Sequence, residues 1–302
     1  MDMQTPDARF GPVRLRHVIM LLTLATVWGT SFLTIKIGVD YMSGLTLTAI
    51  RLVVAAAAIL IVAVVTRTAW PTGAKIWAFC FALGLFGNSL PFFLISWGEE
   101  GIDSGRAAIL IAVMPLTTLV LSHFLVKGDR LTLAKLFGVI LGFVGIVVLV
   151  GPAALTDEGG RVLHQLAVAG GAICYAVTVI IIRHMPPTPI VGRAALTHVL
   201  AAAQIVPVTL WIDGGVLPPM TFEALWTPVY LGLFPTAMAT LVLFKLSSER
   251  EPSFIAFQNY LVPIFGVFWG ALLLNEVVTP QVLAALGLIL CGIFFANRPK
   301  RG

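Results

Sequence analysis

The sequence predicts an all-α polytopic membrane protein of ten transmembrane helices, arranged as two five-helix repeats of opposite orientation with both termini cytoplasmic. Three observations lead there. Of 302 residues, 59% are hydrophobic and only 11% charged, with a mean hydropathy of +0.99. A soluble domain carries about 25% charged residues, so there is too little charge here to cover a water-facing surface. Charged, Gly and Pro punctuation divides the chain into ten apolar segments, each near the roughly 20 residues a bilayer crossing needs. The second half of the chain also repeats the first.

The expected spans are 17–37, 45–66, 75–98, 103–126, 132–151, 162–184, 190–212, 222–246, 252–274 and 280–297. The first follows "RLRH" and resembles a signal peptide, but it runs on apolar past Trp28 without a convincing small-residue cleavage site, so it reads as a retained helix. Span two holds a lone charge, Arg51, in "TAIRLVVAAAAILIVAVV". Spans four and nine each carry a proline near the middle, Pro115 and Pro263. Spans five and ten are almost wholly apolar and Gly-rich, and Gly138 and Gly142 form a GxxxG spacing that permits close helix packing. Connections are short, and only the tails and "GPAALTDEGGR" offer much exposed chain.

Lys and Arg set the orientation. Fifteen of the 19 fall on one side: Arg9, Arg14, Arg16, Arg67, Lys75, Lys127, Arg130, Lys135, Arg183, Arg193, Lys245, Arg250, Arg298, Lys300 and Arg301. Lys36, Arg51, Arg106 and Arg161 are the rest. The imbalance fits the positive-inside rule and an even number of crossings. The basic residues sit at helix ends and form no patch for nucleic acid. Cys80, Cys174 and Cys291 lie in apolar runs without paired spacing, so no disulfide, metal site or cofactor is expected.

A shift of 147 lays Trp28 on Tyr175, Ser31 on Thr178, Lys36 on Arg183 and Arg51 on His198. It also lays "DRLTLAKLFGVILGFVGI" on "EVVTPQVLAALGLILCGI", matching Asp129 with Glu276. A shift of 148 superposes the two "LGLF" runs and Pro115 on Pro263. Five is odd, so the second repeat must enter the membrane from the opposite side. Inverted repeats are an architecture of secondary transporters, with a site near the midplane and alternating access.

With "WGTSFLTIKIG", "LTAIRLVVAAA", "AAILIAVMPLTTLVLSHFLVKGDRLTLAKLFGVILGFVGI" and "IAFQNYLVPIFGVFWGALLLNEVVTPQVLAALGLILCGIFFA" in place, the chain resembles the ten-helix EamA-type transporters of the drug/metabolite transporter superfamily. Its two EamA-type units are 17–151 and 162–297. The resemblance extends to the YddG-type aromatic-amino-acid exporters of that superfamily. It implies inner-membrane export or exchange of small metabolites, commonly amino acids, by a multi-pass bacterial protein. One departure is "KGD", where the family often has a Gly-Glu pair.

Candidate cavity residues follow from chemistry. Paired proline interruptions at Pro115 and Pro263 point toward a site, or are packing kinks. Asn88, Gln258 and Asn259 need polar partners inside a membrane, either a substrate or a neighbouring helix. An amide suits both the carboxylate and the ammonium of an amino acid. Trp28, Tyr175 and Phe92 offer apolar wall, or core packing. Ser31 and Thr178 lie one turn beyond Trp28 and Tyr175 and line the same face, or bond back to their helices. Arg51 and His198 are expected at the two vestibules, Arg51 roughly 9 Å below its helix end, where it snorkels, holds carbonyls of neighbouring helices or attracts substrate. All 14 carboxylates sit in tails, loops or outermost turns, which disfavours cationic drugs and direct proton coupling through Asp or Glu.

The function expected is therefore secondary transport of small metabolites, most of all aromatic or other neutral amino acids, across the inner membrane, as an exporter. The alternative is an exchanger of sugar phosphates or nucleotide-sugars, for which phosphate demands more cations than Arg51, His198 and Lys36. No HExxH and no intramembrane Asp pair is present, so no enzyme is expected. The partners are a small-molecule substrate and membrane lipid, the protein acting as a monomer or weak homodimer.

Overall fold

The computed structural model describes residues 13–126, 131–151, 160–215 and 219–296. Arg9, Lys127, Asp129, Arg130, Arg298, Lys300 and Arg301, and the segment 152–159, lie outside the described residues. Every regular element among those described is helical. Among the described residues, eight helices are long and apolar enough to cross a membrane: α1 (Leu15–Val39), α2 (Gly44–Val65), α3 (Ala74–Gly101), α4 (Ser104–Leu125), α5 (Leu133–Val150), α6 (Arg161–His184), α7 (Ile190–Ile212) and α8 (Phe222–Glu249). Two shorter apolar helices follow, α9 (Gln258–Leu274) and α10 (Pro280–Ala296). The surface of these helices is apolar where it is exposed. On α5, Leu133, Phe137, Ile140, Val144 and Val147 form one exposed apolar stripe at helical spacing, as suits a lipid-facing surface. This is a multi-pass membrane protein.

Helix starts obey local chemistry. Ser43, Thr132, Thr221 and Thr279 each accept a backbone N–H three residues on, at the heads of α2, α5, α8 and α10. Such caps satisfy donors a helix cannot satisfy itself. Thr132 and Thr279 are equivalent under the 147 shift, so the repeats share a cap.

Packing respects the repeat. α5 lies along α10, α2 along α7, α1 along α9 and α4 along α6. Exchanging each helix for the one five places along returns the same set of pairs. In the α5–α10 seam, a Cβ on Gly138 would meet the Gly292 carbonyl and lie 2.6 Å from the Ala296 nitrogen. Gly287 on α10 has open space instead. Gly138→Ala is therefore expected to lower the thermal midpoint, at an overpacking cost of about 1–3 kcal/mol. Gly287→Ala leaves the midpoint level or raises it. Thermal unfolding in detergent compares the two, and equal midpoints would refute the close approach.

Four of the expected spans depart from regularity. α3 contains a π-turn at Leu85–Ser89 and α8 another at Gly232–Met238. The two coincide under the 148 shift. In α8 the cause is Pro235, which has no N–H to give the Leu231 carbonyl; the Thr236 hydroxyl donates to that carbonyl instead, at 2.7 Å. In α3 the side chains of Asn88 and Ser89 donate to the carbonyls of Leu83 and Gly84. α4 is broken at Ile111–Ala112, four and three residues before Pro115. The ninth span, expected as one helix over 252–274, is a single turn, Pro252–Ile255, followed by α9. α3 runs three residues past the expected end at 98, which places Glu99 inside it.

Candidate functional site

The π-turns and the broken helices meet around one cavity of about 330 Å³, mostly apolar in lining. That lies within the ~300–1,000 Å³ range of small-molecule sites. Trp28, Ser31, Asn88, Phe92, Pro115, Tyr175, Thr178, Gln258, Asn259 and Pro263 all line it. The repeat is visible in its walls. Trp28 faces the cavity with Tyr175, Ser31 with Thr178, Ile35 with Ile182, Asn88 with Thr236, Phe92 with Thr240, and Pro115 with Pro263. Of 25 lining residues, only Arg51, Ala112 and Gln258 lack an equivalent that also lines the space. The cavity sits where the two halves are related by twofold exchange.

The residues not anticipated, Thr236 and Thr240 among them, were within reach of the sequence, since they are the 148-shift equivalents of Asn88 and Phe92.

Several polar groups are tied back to the scaffold. The Ser31 hydroxyl donates to the Trp28 carbonyl at 2.6 Å and the Thr178 hydroxyl to the Cys174 carbonyl at 3.0 Å. The Trp28 indole N–H donates to the Pro235 carbonyl at 3.0 Å, so the first repeat grips the π-turn of the second. By contrast, Oε1 of Gln258 is buried and accepts from nothing among the described residues.

Arg51 is the charged residue of this lining, and its position corrects the sequence reading. It is 4% exposed and occupies the cavity wall, so it does not snorkel to a helix end. Its Nε donates to the Thr236 hydroxyl at 2.9 Å and its guanidinium carbon lies 3.7 Å from the centre of the Phe92 ring. The guanidinium has no further hydrogen-bond partner among the described residues. Neighbouring helices cover the end of α2, so distance along a helix from its end was a poor guide to depth. His198 is also misplaced by the sequence reading. It is buried, its Nδ1 is bonded to the Ala194 carbonyl at 2.8 Å, and it does not line the cavity.

The end of the bundle away from Leu15 and Ala296, termed here the far end, is closed. Ile35 and Ile95, on that side of the cavity, are 2% and 4% exposed. One turn further on, the Lys36 ammonium donates to the Glu99 carbonyl at 2.7 Å. The Glu276 carboxylate accepts from the backbone N–H groups of Ser104 and Gly105 at 2.7 and 2.9 Å, fastening the α9–α10 connection to the head of α4. On the termini side, Ile182 is 43% exposed and Leu243 and Gln258 are half-buried.

A family model, the EamA-like transporter family, matches residues 15–151 and again 163–298. The chain belongs to that family. As an EamA-like protein it is a membrane transporter of small molecules and not an enzyme. An uncharacterized transporter of Archaeoglobus fulgidus is 26% identical, over 94% of this chain and 99% of the relative. A probable amino-acid metabolite efflux pump of Salmonella typhimurium is 25% identical, over 93% and 96%. A probable terminal-alkyne amino-acid exporter of Streptantibioticus cattleyicolor is 25% identical, over 94% and 93%. A solved crystal structure shares the fold with a TM-score of 0.65 at 19% identity, over 94% of this chain and 98% of that one.

Proposed function

We propose that this EamA-like transporter exports neutral amino acids, aromatic ones included, across the bacterial inner membrane by alternating access. The observation that carries the reading is the charge inventory of the cavity: one guanidinium with free donors and no carboxylate among the lining residues. Arg51 donates paired hydrogen bonds to the substrate carboxylate. The unpartnered Gln258 oxygen, with Asn88 and Asn259 beside the cavity, receives the ammonium. Trp28, Phe92 and Tyr175 surround the side chain. Two of the relatives carry amino-acid export in their names. The rocking bodies are the two five-helix units, 17–151 and 162–297, and the inner face is the one bearing both termini.

The test is counterflow in proteoliposomes. Vesicles preloaded with unlabelled L-phenylalanine or L-threonine are expected to take up the labelled amino acid saturably. Glucose 6-phosphate and UDP-glucose are expected to compete poorly, because a phosphorylated ligand needs several cations and this wall provides one. Counterflow of the phosphorylated compounds with none of the amino acids would replace this reading with its alternative.

A further inference from the structure

Glu99 is the charged group that the substrate reading leaves unused. The sequence reading disfavoured coupling through Asp or Glu because every carboxylate lies near a helix end. Glu99 does lie in the last turn of α3, but it is not exposed there: it is 0% exposed, and neither of its carboxylate oxygens has a hydrogen-bond partner among the described residues. Burying a carboxylate without partners is costly, and the cost falls on its charged form. Inside a membrane protein such a group is retained for work.

Its place in the fold says what work. Ile95, four residues earlier on α3, lines the central cavity, and Ile35, beside Lys36, lines it too. On the far side, Lys36 also lines a separate recess of about 120 Å³ with Glu100, Asp103, Arg106 and Arg161. Glu99 thus occupies the layer, about 6 Å deep by helix rise, that separates the cavity from the far end. The charged groups near enough to act on it electrostatically are Lys36 from α1, Arg51 from α2 and Glu276 from the α9–α10 connection. On α3 itself, Glu100 points away, accepting from the Gly44 N–H at 2.7 Å. The α6 residue His164 packs on Trp97 and Gly101 and bonds the Trp97 carbonyl.

We propose that Glu99 is a proton-binding site, and that its proton travels opposite to the exported substrate. When the far end opens, the carboxylate meets water and takes a proton, forming a neutral O–H. The layer then closes over an uncharged side chain. When the cavity is hydrated from the termini side, the proton leaves to that water, and the re-formed carboxylate returns with the substrate-loaded, far-end-open state. One proton enters for each turn of the cycle. The site stands on the geometry around Glu99; only its coupling to amino acids rests on the function proposed above.

Two measurements on the full-length protein test this. In lipid nanodiscs, infrared difference spectra across a pH titration are expected to show a protonated-carboxyl C=O band that is lost in Glu99→Gln. Its midpoint moves to higher pH in Lys36→Met, because a cation that favours the carboxylate is gone. The proposal is overturned if the wild type shows no such band, or if the band persists in Glu99→Gln. If Glu99→Gln does not fold, an unmoved midpoint in Lys36→Met overturns it equally. In proteoliposomes, an imposed pH gradient is expected to drive labelled L-phenylalanine uphill in the wild type and to lose that effect in Glu99→Gln. A sodium gradient driving the wild type in place of the pH gradient overturns the coupling. Absence of any L-phenylalanine exchange without a gradient defeats the amino-acid reading alone, and the infrared titration still decides the proton site.

Discussion

Replacing Arg51 with Gln is expected to raise the half-saturation concentration for an amino acid about 10- to 150-fold. That is the equivalent of the roughly 1.5–3 kcal/mol carried by a hydrogen bond to a charged group. The guanidinium, which lines the cavity, gives one donor to Thr236 and has no partner for the others among the described residues. Gln retains a donor but neither the charge nor the fork. Arg51→Lys is expected to fall between, because an ammonium keeps the charge as a point and gives up the paired geometry and the stacking on Phe92. Thr236→Val is the control for a scaffold role. It removes the partner of Nε and the hydroxyl that occupies the Leu231 carbonyl, so it should lower the thermal midpoint more than it alters affinity. Counterflow kinetics with thermal unfolding separate these outcomes. A lowered midpoint with unchanged affinity in Arg51→Gln would make Arg51 a strut.

Glu276→Gln is expected to loosen the far end. The carboxylate receives two backbone N–H groups at the head of α4, one on each oxygen. An amide has one oxygen to offer and turns its NH₂ toward the second donor, so one bond becomes a clash of donors. With charged hydrogen bonds at about 1.5–3 kcal/mol each, losing one is enough to move a conformational equilibrium roughly tenfold or more. The readout is a cysteine at Ile35, on the far side of the cavity, in a background where Cys80, Cys174 and Cys291 are replaced. An impermeant maleimide added from the far side should label Ile35→Cys at least about tenfold faster with Glu276→Gln present. Equal labelling rates would show that the clasp does not hold this end shut.

Much of the architecture was legible because its causes are local and repeated. Ten apolar runs, the Lys and Arg that bound them and the Pro115–Pro263 correspondence are statements about residue types at spacings, and helices in lipid follow such patterns closely. The ten expected cavity residues line one space; for Ser31, Asn88, Thr178, Gln258 and Asn259 the reason is that polar side chains in an apolar span must face protein or water. What stayed hidden depends on neighbours. "LFGNS" carries no mark of a π-turn; the irregularity arises where Asn88 and Ser89 reach back five residues for carbonyls. Arg51 and Glu99 were placed by counting residues from helix ends, whereas their burial is set by the helices that pack over those ends. Only the fold says that two charges near the rim of the sequence pattern lie inside the molecule.

The near-twofold wall of the cavity, broken by Arg51, has a kinetic meaning. A carrier with identical walls toward both faces would bind its cargo equally from either side. Here the one charge of the wall, which the proposed function assigns to the substrate carboxylate, belongs to one repeat, while its counterpart His198 is packed elsewhere. The two repeats therefore offer an amino acid unlike walls, one with the guanidinium and one without it. Influx and efflux should then differ in half-saturation. Without a gradient of any second ion, the maximal velocities must differ in the compensating ratio, since a passive carrier leaves the equilibrium distribution of its cargo unchanged.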